Sequence, residues 1–379
     1  MALHPEFPLQ VVHLNHAGIG PWPLRARTAV ERFARENTEL GSTRYERWLA
    51  VEYRLRERLA RLIGAADATD VALVKNTSEA LSIVAYGLEW APGDEVVLAR
   101  QEFPSNRIVW ESLSAAYGVC VREVDLALGE DPEAALLAAL TERTRVLAVS
   151  AVQYADGLRM DLARLGEACR SLGVVFCVDA IQALGAVPFD AHAVQADVVA
   201  ADGHKWMLGP EGLGVLWCRP ELRERLRLRQ FGWHMVANAG DFAATDWSPA
   251  PDARRFEPGS PNLLGVHALE ASLSLIEETG IETVARALEQ RVERLARALG
   301  ALGAEIVTPL EPRRRAGILT FRVPAGDGAA LYRTLTRAGV LCARRAGGIR
   351  FSPHFHTPWE HIEEALAQVG HWLAAPGPR

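Results

Sequence analysis

Lysine is almost absent from this 379-residue chain. Lys75 and Lys205 are its only two, and arginine supplies every other one of its 41 cationic side chains. Long apolar runs are missing too. No uninterrupted stretch approaches the roughly 20 residues a bilayer-crossing helix needs, so no membrane association is expected. The first residues, MALHPEFPLQVVHL, have no basic start followed by an apolar segment, so no signal peptide is read there. Net charge is -6, and the densest basic cluster, Arg313, Arg314 and Arg315, reads as a solvated turn, which excludes nucleic acid as a partner. The five cysteines (Cys120, Cys169, Cys177, Cys218, Cys342) form no CxxC or other metal-ligand spacing. An odd, scattered set fits a reducing compartment, and the chain reads as cytoplasmic without a metal site.

What is present is ample apolar material: 49% hydrophobic against 23% charged residues, enough for a large core. Residues 25–63 carry helical periodicity and read as one or two amphipathic helices. Short β-like runs follow at 71–75, 95–99, 119–124, 145–152, 174–178, 197–201 and 212–217. Several are continuously apolar, as strands covered on both faces must be. Helix-length segments lie between most of them, as at 78–90, 132–140 and 161–172. The alternation implies an α/β fold with a mostly parallel, seven-stranded sheet and helices on both faces. Residues 227–262 are irregular and read as a long functional loop. A helix near 283–302, strands at 317–323 and 349–352, and helices at 328–338 and from 359 describe a smaller α+β C-terminal domain. The expected division is a large domain at 16–262 and a small one formed by 1–15 with 263–379. Residues 374–379 are expected to fray. There is no internal repeat or low-complexity tract.

The most informative segment is AADGHKWMLGPEGLG at 200–214. Lys205 follows directly on an apolar strand, where α/β folds place ligands. Desolvation there lowers an amine's pKa and makes it a competent carbonyl nucleophile. Arginine cannot do this chemistry, so one of only two lysines in this setting invites a chemical reason; the plain alternative is a surface lysine. The 209–214 run matches neither GxGxxG nor a P-loop, so no nucleotide site is read. Asp179 ends the run 174–178, and a buried strand-end carboxylate is costly unless a cation meets it. A protonated pyridinium is such a partner; a helix N-cap is the other reading. Gln182, three residues on, can reach the same ligand. Asn76, Thr77, Ser78 and Glu79 open a helix after strand 71–75, where free N–H groups and the helix dipole suit a phosphate or serve simply as a cap.

In that order, Asn76-Thr77-Ser78-Glu79, Asp179-x-x-Gln182 and Gly203-His204-Lys205 resemble the class V aminotransferase superfamily of fold type I enzymes. That superfamily includes cysteine desulfurases, selenocysteine lyases, kynureninases and isopenicillin-N epimerase-like proteins. The resemblance runs from Leu14-Asn-His-Ala-Gly18 to Arg350-Phe-Ser-Pro-His354. It implies pyridoxal 5'-phosphate (PLP) held as a Schiff base on Lys205, which also moves the substrate's α-proton. Asp179 and Gln182 are similar to the pyridinium and phenolate partners. Asn76, Thr77, Ser78, His204 and Asp202 are similar to phosphate-site residues. Phe103, in Glu102-Phe-Pro-Ser-Asn106, resembles the ring-stacking residue, with a plain core role as the rival. Ser260, in Phe256-Glu-Pro-Gly-Ser-Pro-Asn262, resembles a contact to the other subunit's phosphate, which implies a homodimer with shared active sites. Arg350 resembles the arginine that binds the substrate α-carboxylate, a task suited to a planar guanidinium. Gln153 and Asn106 are candidates for facing a free amino-acid substrate.

The resemblance breaks at one place. A cysteine desulfurase needs a nucleophilic thiol on a mobile loop before that arginine, and here 340–350 reads VLCARRAGGIR. Cys342 falls inside an apolar run, before the expected glycine, and reads as buried core. The expectation is therefore an enzyme that abstracts the α-proton and expels a β-leaving group, a C–S lyase, without a thiol nucleophile. Aminotransferase or epimerase chemistry is the alternative within the superfamily, and an inactive PLP-fold binding or regulatory protein is the alternative of another class. Trp22, Trp48, Trp206, Trp233, Trp247 and the His354/His356 pair are candidates for lining a substrate pocket.

Overall fold

Residues 4–129, 131–323 and 327–374 are described by the computed structural model, and residues 375–379 of the expected frayed tail lie outside them. In chain order, β1 (Val12–His13) precedes α1 (Leu24–Leu40) and α2 (Tyr45–Ile63). Then come β2 (Val71–Val74), α3 (Thr77–Gly87), β3 (Glu95–Ala99), α4 (Ser105–Tyr117) and β4 (Cys120–Val124). They are followed by α5 (Pro132–Ala138), β5 (Thr144–Ser150), α6 (Leu162–Leu172), β6 (Val175–Asp179), β7 (Val198–Asp202), β8 (Gly214–Cys218) and α7 (Pro220–Arg225). The remainder is α8 (Leu263–Thr279), α9 (Ile281–Ala301), β9 (Glu305–Ile306), β10 (Leu319–Arg322), α10 (Gly328–Arg337), β11 (Val340–Leu341), β12 (Ala343–Arg345), β13 (Gly348–Phe351) and α11 (Trp359–Ala374).

Seven strands form one sheet in the order β2-β8-β7-β6-β5-β3-β4. Only β8 runs against the others. A parallel neighbour needs a crossover, usually helical, whereas β7 and β8 are joined by the turn that carries Lys205 and so return antiparallel. Strand residues alternate between two cores, as a period of two requires. On β3, Val97 and Ala99 enter the core shared with Leu55, Leu59 and Phe176, while Val96 and Leu98 face the core of Leu81, Trp110 and Leu216. Truncating a buried leucine in either layer costs about 2–5 kcal/mol, which is what fixes the sheet's register.

Helix α8 had no counterpart among the expected elements. It is buried on nearly every side, including Val266, Ala268, Leu269, Ser272 and Leu273, so its sequence lacks the one-sided stripe that marks a surface helix. Val266, Leu269 and Leu273 belong to the large core, beside α1 and α2. A separate core collects Val12 and Leu14 with Leu295, Phe321, Leu335, Cys342 and Phe351. Helix α9 bridges the two, with Val284 and Leu288 in the first and Val292 and Leu299 in the second. We therefore propose that the small domain comprises the N-terminal segment and the chain from mid-α9 onward, with α8 in the large domain rather than beyond a boundary at 262. The 227–262 segment is anchored where Glu257 takes both guanidinium nitrogens of Arg56 (2.6 and 2.7 Å) and the N–H of Leu73.

Candidate functional site

The large sheet delivers its site residues at or just past the carboxyl ends of its strands. Asn76 and Thr77 follow β2, Phe103 follows β3, Tyr154 follows β5, Asp179 ends β6, and Asp202 ends β7. They converge on a cavity of about 440 Å³ that also contains Lys205, Gln182, His204 and Arg350. That volume suits a cofactor with a small substrate.

Lys205 is 7% exposed. Burial pushes its amine down to about 8, Arg350 and Arg345 push the same way, and Asp179 and Asp202 oppose them. Its backbone is held closely. Gly20 N–H donates to His204 O (2.8 Å), Leu208 N–H to Lys205 O (3.2 Å) and Gly209 N–H to Gly203 O (2.8 Å). A Cβ on Gly20 would meet Lys205 O at 2.3 Å, and one on Gly185 would meet Trp206 O at 2.4 Å, so both positions need glycine. Asp179 is pushed up to about 7, chiefly by burial, with Glu102 and Asp202 adding to the rise and Lys205 and the Ile181 N–H (3.0 Å) opposing it. A carboxylate buried in this way calls for a cation facing it. Gln182 donates from Nε2 to Ala17 O (3.0 Å) and accepts from Trp206 Nε1 (2.7 Å), which fixes the amide against the Lys205 turn.

Two helix N-termini open into the cavity. Asn76 caps α3 by accepting from Glu79 N (2.9 Å). Ser78 Oγ donates to Ser105 Oγ (2.8 Å), tying the first turns of α3 and α4 together. Thr77 Oγ1 is buried with no hydrogen-bond partner, and such a donor calls for an acceptor not supplied by the chain. His204 Nδ1 stands 3.0 Å from Asp202 Oδ1, close enough to pair when the imidazole is protonated, though not aligned as a hydrogen bond. Phe103 is 37% exposed, which sets aside the core reading; Lys205 Nζ lies 5.4 Å from its ring centroid.

Arg350 is 1% exposed and carries no carboxylate partner among the described residues. It donates to Tyr154 O (2.6 Å) and weakly to Asn15 Oδ1 (3.4 Å), and its Nε is unpartnered. A buried guanidinium left this way has a pKa pushed down to about 9 by desolvation, and an incoming carboxylate would relieve that cost.

Three expected site residues do not line this cavity. Asn106 and Gln153 are both fully enclosed and donate to Glu102 (3.0 and 2.7 Å). Glu102, which was given no role from sequence, also accepts from Ser150 N–H and Oγ, so these residues form a buried support beside Asp179 rather than a substrate contact. Ser260 is exposed and lies away from this chain's own cavity. None of the tryptophans or the His354/His356 pair lines it either. His354 donates from Nε2 to Trp206 O (3.0 Å), since its Nδ1 accepts from Phe355 N–H. Residues given no role from sequence that also face the cavity include Asn15, Ser105, Tyr154, Glu211 and Arg345.

The set fits PLP. An orphaned hydroxyl and two helix ends suit a phosphate, a buried carboxylate suits a protonated ring nitrogen, an open aromatic face suits stacking, and a desolvated lysine suits a carbonyl. Asp202 fits as the partner of His204, since a carboxylate cannot itself hold a phosphate.

The comparisons agree with this geometry. A probable cysteine desulfurase of Methanothermobacter thermautotrophicus is 29% identical over 94% of this chain and 94% of that protein. The isopenicillin N epimerase of Streptomyces clavuligerus is 32% identical over 93% and 92%. Among solved structures, a lysine-to-alanine variant of C-DES with glycine covalently linked to its PLP cofactor superposes with a TM-score of 0.89 at 26% identity, covering 96% of this chain and 98% of that one. The cystine C–S lyase C-DES in complex with cysteine persulfide gives 0.88 at 25% identity, covering 95% and 97%. The architecture is fold type I. The model of the aminotransferase class-V family matches residues 36–359, and this chain belongs to that family.

Proposed function

We propose that this PLP-dependent class V enzyme is a C–S lyase that cleaves the Cβ–S bond of a free α-amino acid without a thiol nucleophile. The observation that carries the reading is the segment before Arg350. There β12 and β13 pair Arg345 with Gly348, leaving a two-residue turn, Ala346-Gly347, with both φ values positive (48° and 73°). That tight hairpin takes the place of a mobile thiol-bearing loop. Cys342 lies in the small domain's core, its thiol pushed up to about 12 by burial. Burial of that kind makes a thiol inert.

Bound PLP supplies an electron sink for negative charge developing at the substrate's Cα. Arg350 holds the α-carboxylate, and Asp179 keeps positive charge at the far side of the cavity. Lys205 Nζ takes the Cα proton. The Cα–H and Cβ–S bonds break, sulfur leaves with the electron pair, and the released unsaturated amine takes up water to give pyruvate and ammonia. The likeness to the cystine C–S lyase C-DES supports this outcome. The likeness to a probable cysteine desulfurase does not decide the fate of the sulfur.

The test is a screen of the holoprotein with L-cystine, L-cysteine and S-substituted cysteines. Pyruvate and ammonia should form in equal amounts, and Cys342→Ala should keep activity within about twofold, as expected of a residue with no chemical role. Alanine with sulfane sulfur, lost in Cys342→Ala, would restore the desulfurase. A requirement for a 2-oxo-acid acceptor would indicate transamination, and inversion at Cα without pyruvate would indicate an epimerase.

We further propose a homodimer in which Ser260 serves the partner's cofactor phosphate. Support comes from its exposure outside its own cavity and from the nearby exposed aromatics Phe231, Trp233, Phe242 and Trp247. A monomer by sedimentation at micromolar concentration would exclude it. The five unpaired thiols suit a reducing cytoplasm.

A further inference from the structure

We infer that the enzyme selects α-amino acids whose side chain carries an anionic group, and that Arg345 reads that group. This rests on the α-amino-acid reading of the cavity and names its substrate class.

The hairpin register places the two arginines together. Ala343 is directly opposite Arg350, and Arg345 is two residues beyond Ala343. Directly opposed residues share a face, and so do residues two apart on one strand. Arg345 and Arg350 therefore point to the same side, and both line the cavity. Tyr154 lies between them. Its carbonyl takes Arg350 Nη1 (2.6 Å), its ring centroid is 5.9 Å from the Arg345 guanidinium carbon, and its edge meets Phe103 (5.1 Å). Phe103 thus meets both Lys205 and Tyr154, and of the two arginines Arg350 is buried while Arg345 is exposed.

Arg345 has no carboxylate partner among the described residues. Its hydrogen bond goes to Arg344 O (2.7 Å). Arg56, with Glu52 and Glu257, and Arg315, with Glu289 and Glu293, show the contrary arrangement, each guanidinium taking two carboxylates. The cavity's own carboxylates are placed elsewhere. Asp179 faces Lys205, Asp202 pairs with His204, and Glu211 sits in the turn before Gly214, which packs on Asn76. With an α-carboxylate on Arg350, Arg345 is the remaining guanidinium on the same face of the cavity. A neutral side chain would leave it without a counter-charge, whereas a carboxylate, sulfinate or sulfonate would pair with it.

The test is a titration of the holoenzyme, following the cofactor's visible absorbance, with two charge-differing isosteric pairs. These are S-carboxymethyl-L-cysteine against S-carbamoylmethyl-L-cysteine, and L-glutamate against L-glutamine. Wild type should bind the anionic member of each pair at least about tenfold more tightly. Arg345→Ala should bring the ratio to within about twofold, chiefly by weakening the anionic member, and Arg345→Lys should keep part of it. Arg350→Ala should weaken both members alike. Equal Kd values in wild type, or equal weakening of both members by Arg345→Ala, would overturn the inference and leave the α-amino-acid reading intact. No spectral response to any amino acid would remove that reading and this inference together.

Discussion

Lys205→Ala is expected to lower turnover by roughly 10³- to 10⁴-fold or more, because in the proposed reaction one side chain carries both the covalent hold on the cofactor and the proton transfer. The amine is enclosed, and burial brings its pKa to about 8, so near neutral pH it supplies a neutral nucleophile that an ordinary lysine supplies far less often. The glycine-only approaches at Gly20 and Gly185 hold the peptide around it, so the variant should remove the amine without moving the turn. The sequence provides an internal control. Borohydride reduction of the holoprotein followed by peptide mass mapping should place the cofactor adduct on Lys205, with Lys75, the only other lysine, unmodified. In Lys205→Ala no specific adduct should form. An adduct at Lys75 in wild type, or activity retained within tenfold, would sink the assignment.

Lys205, Asp179 and the Asn76–Ser78 cap were legible in the sequence for a shared physical reason. Each sits where an apolar strand run stops and polar residues begin, and in a parallel sheet those stops fall on one edge. The strand runs themselves were legible because residues buried on both faces leave no alternation to misread. What escaped depends on packing between distant segments. Helix α8 is apolar on most sides, which conceals its period. Asn106 and Gln153 sit close to the cofactor-site residues in sequence, yet both turn to Glu102, and only the fold shows that carboxylate buried among four hydrogen bonds. Arg345 needed the hairpin register. The Ala-Gly turn signal is in the sequence, but pairing Arg345 with Gly348 is what puts it beside Arg350. The role proposed for Ser260 requires a second chain.

Asp179→Asn is expected to change the protein in opposite directions with and without cofactor. In the cofactor-free protein the buried carboxyl has a pKa of about 7 against an ordinary 3.8, raised first by desolvation and further by Glu102 and Asp202, with Lys205 only partly compensating. Between roughly pH 4 and 7 the folded state therefore binds more protons than the unfolded state, and stability falls as pH rises through that window. Above it the whole penalty of a buried, charged carboxylate is present. Asparagine is nearly isosteric and carries no charge, so the cofactor-free variant should melt higher than wild type at pH 8, and the difference should shrink toward pH 5. With PLP bound the order reverses. The cation facing Asp179 holds its carboxylate ionised and removes the pH slope, and asparagine cannot supply that charge. Removing one partner of a buried charge pair costs about 2–5 kcal/mol, or roughly 30- to several-thousand-fold in cofactor affinity, and turnover should fall with it. Thermal melts of both proteins with and without cofactor, at pH 5 and pH 8, read all four corners. A variant whose cofactor-induced rise in Tm matched wild type would show that Asp179 meets no cation, and the ring-nitrogen assignment would fail.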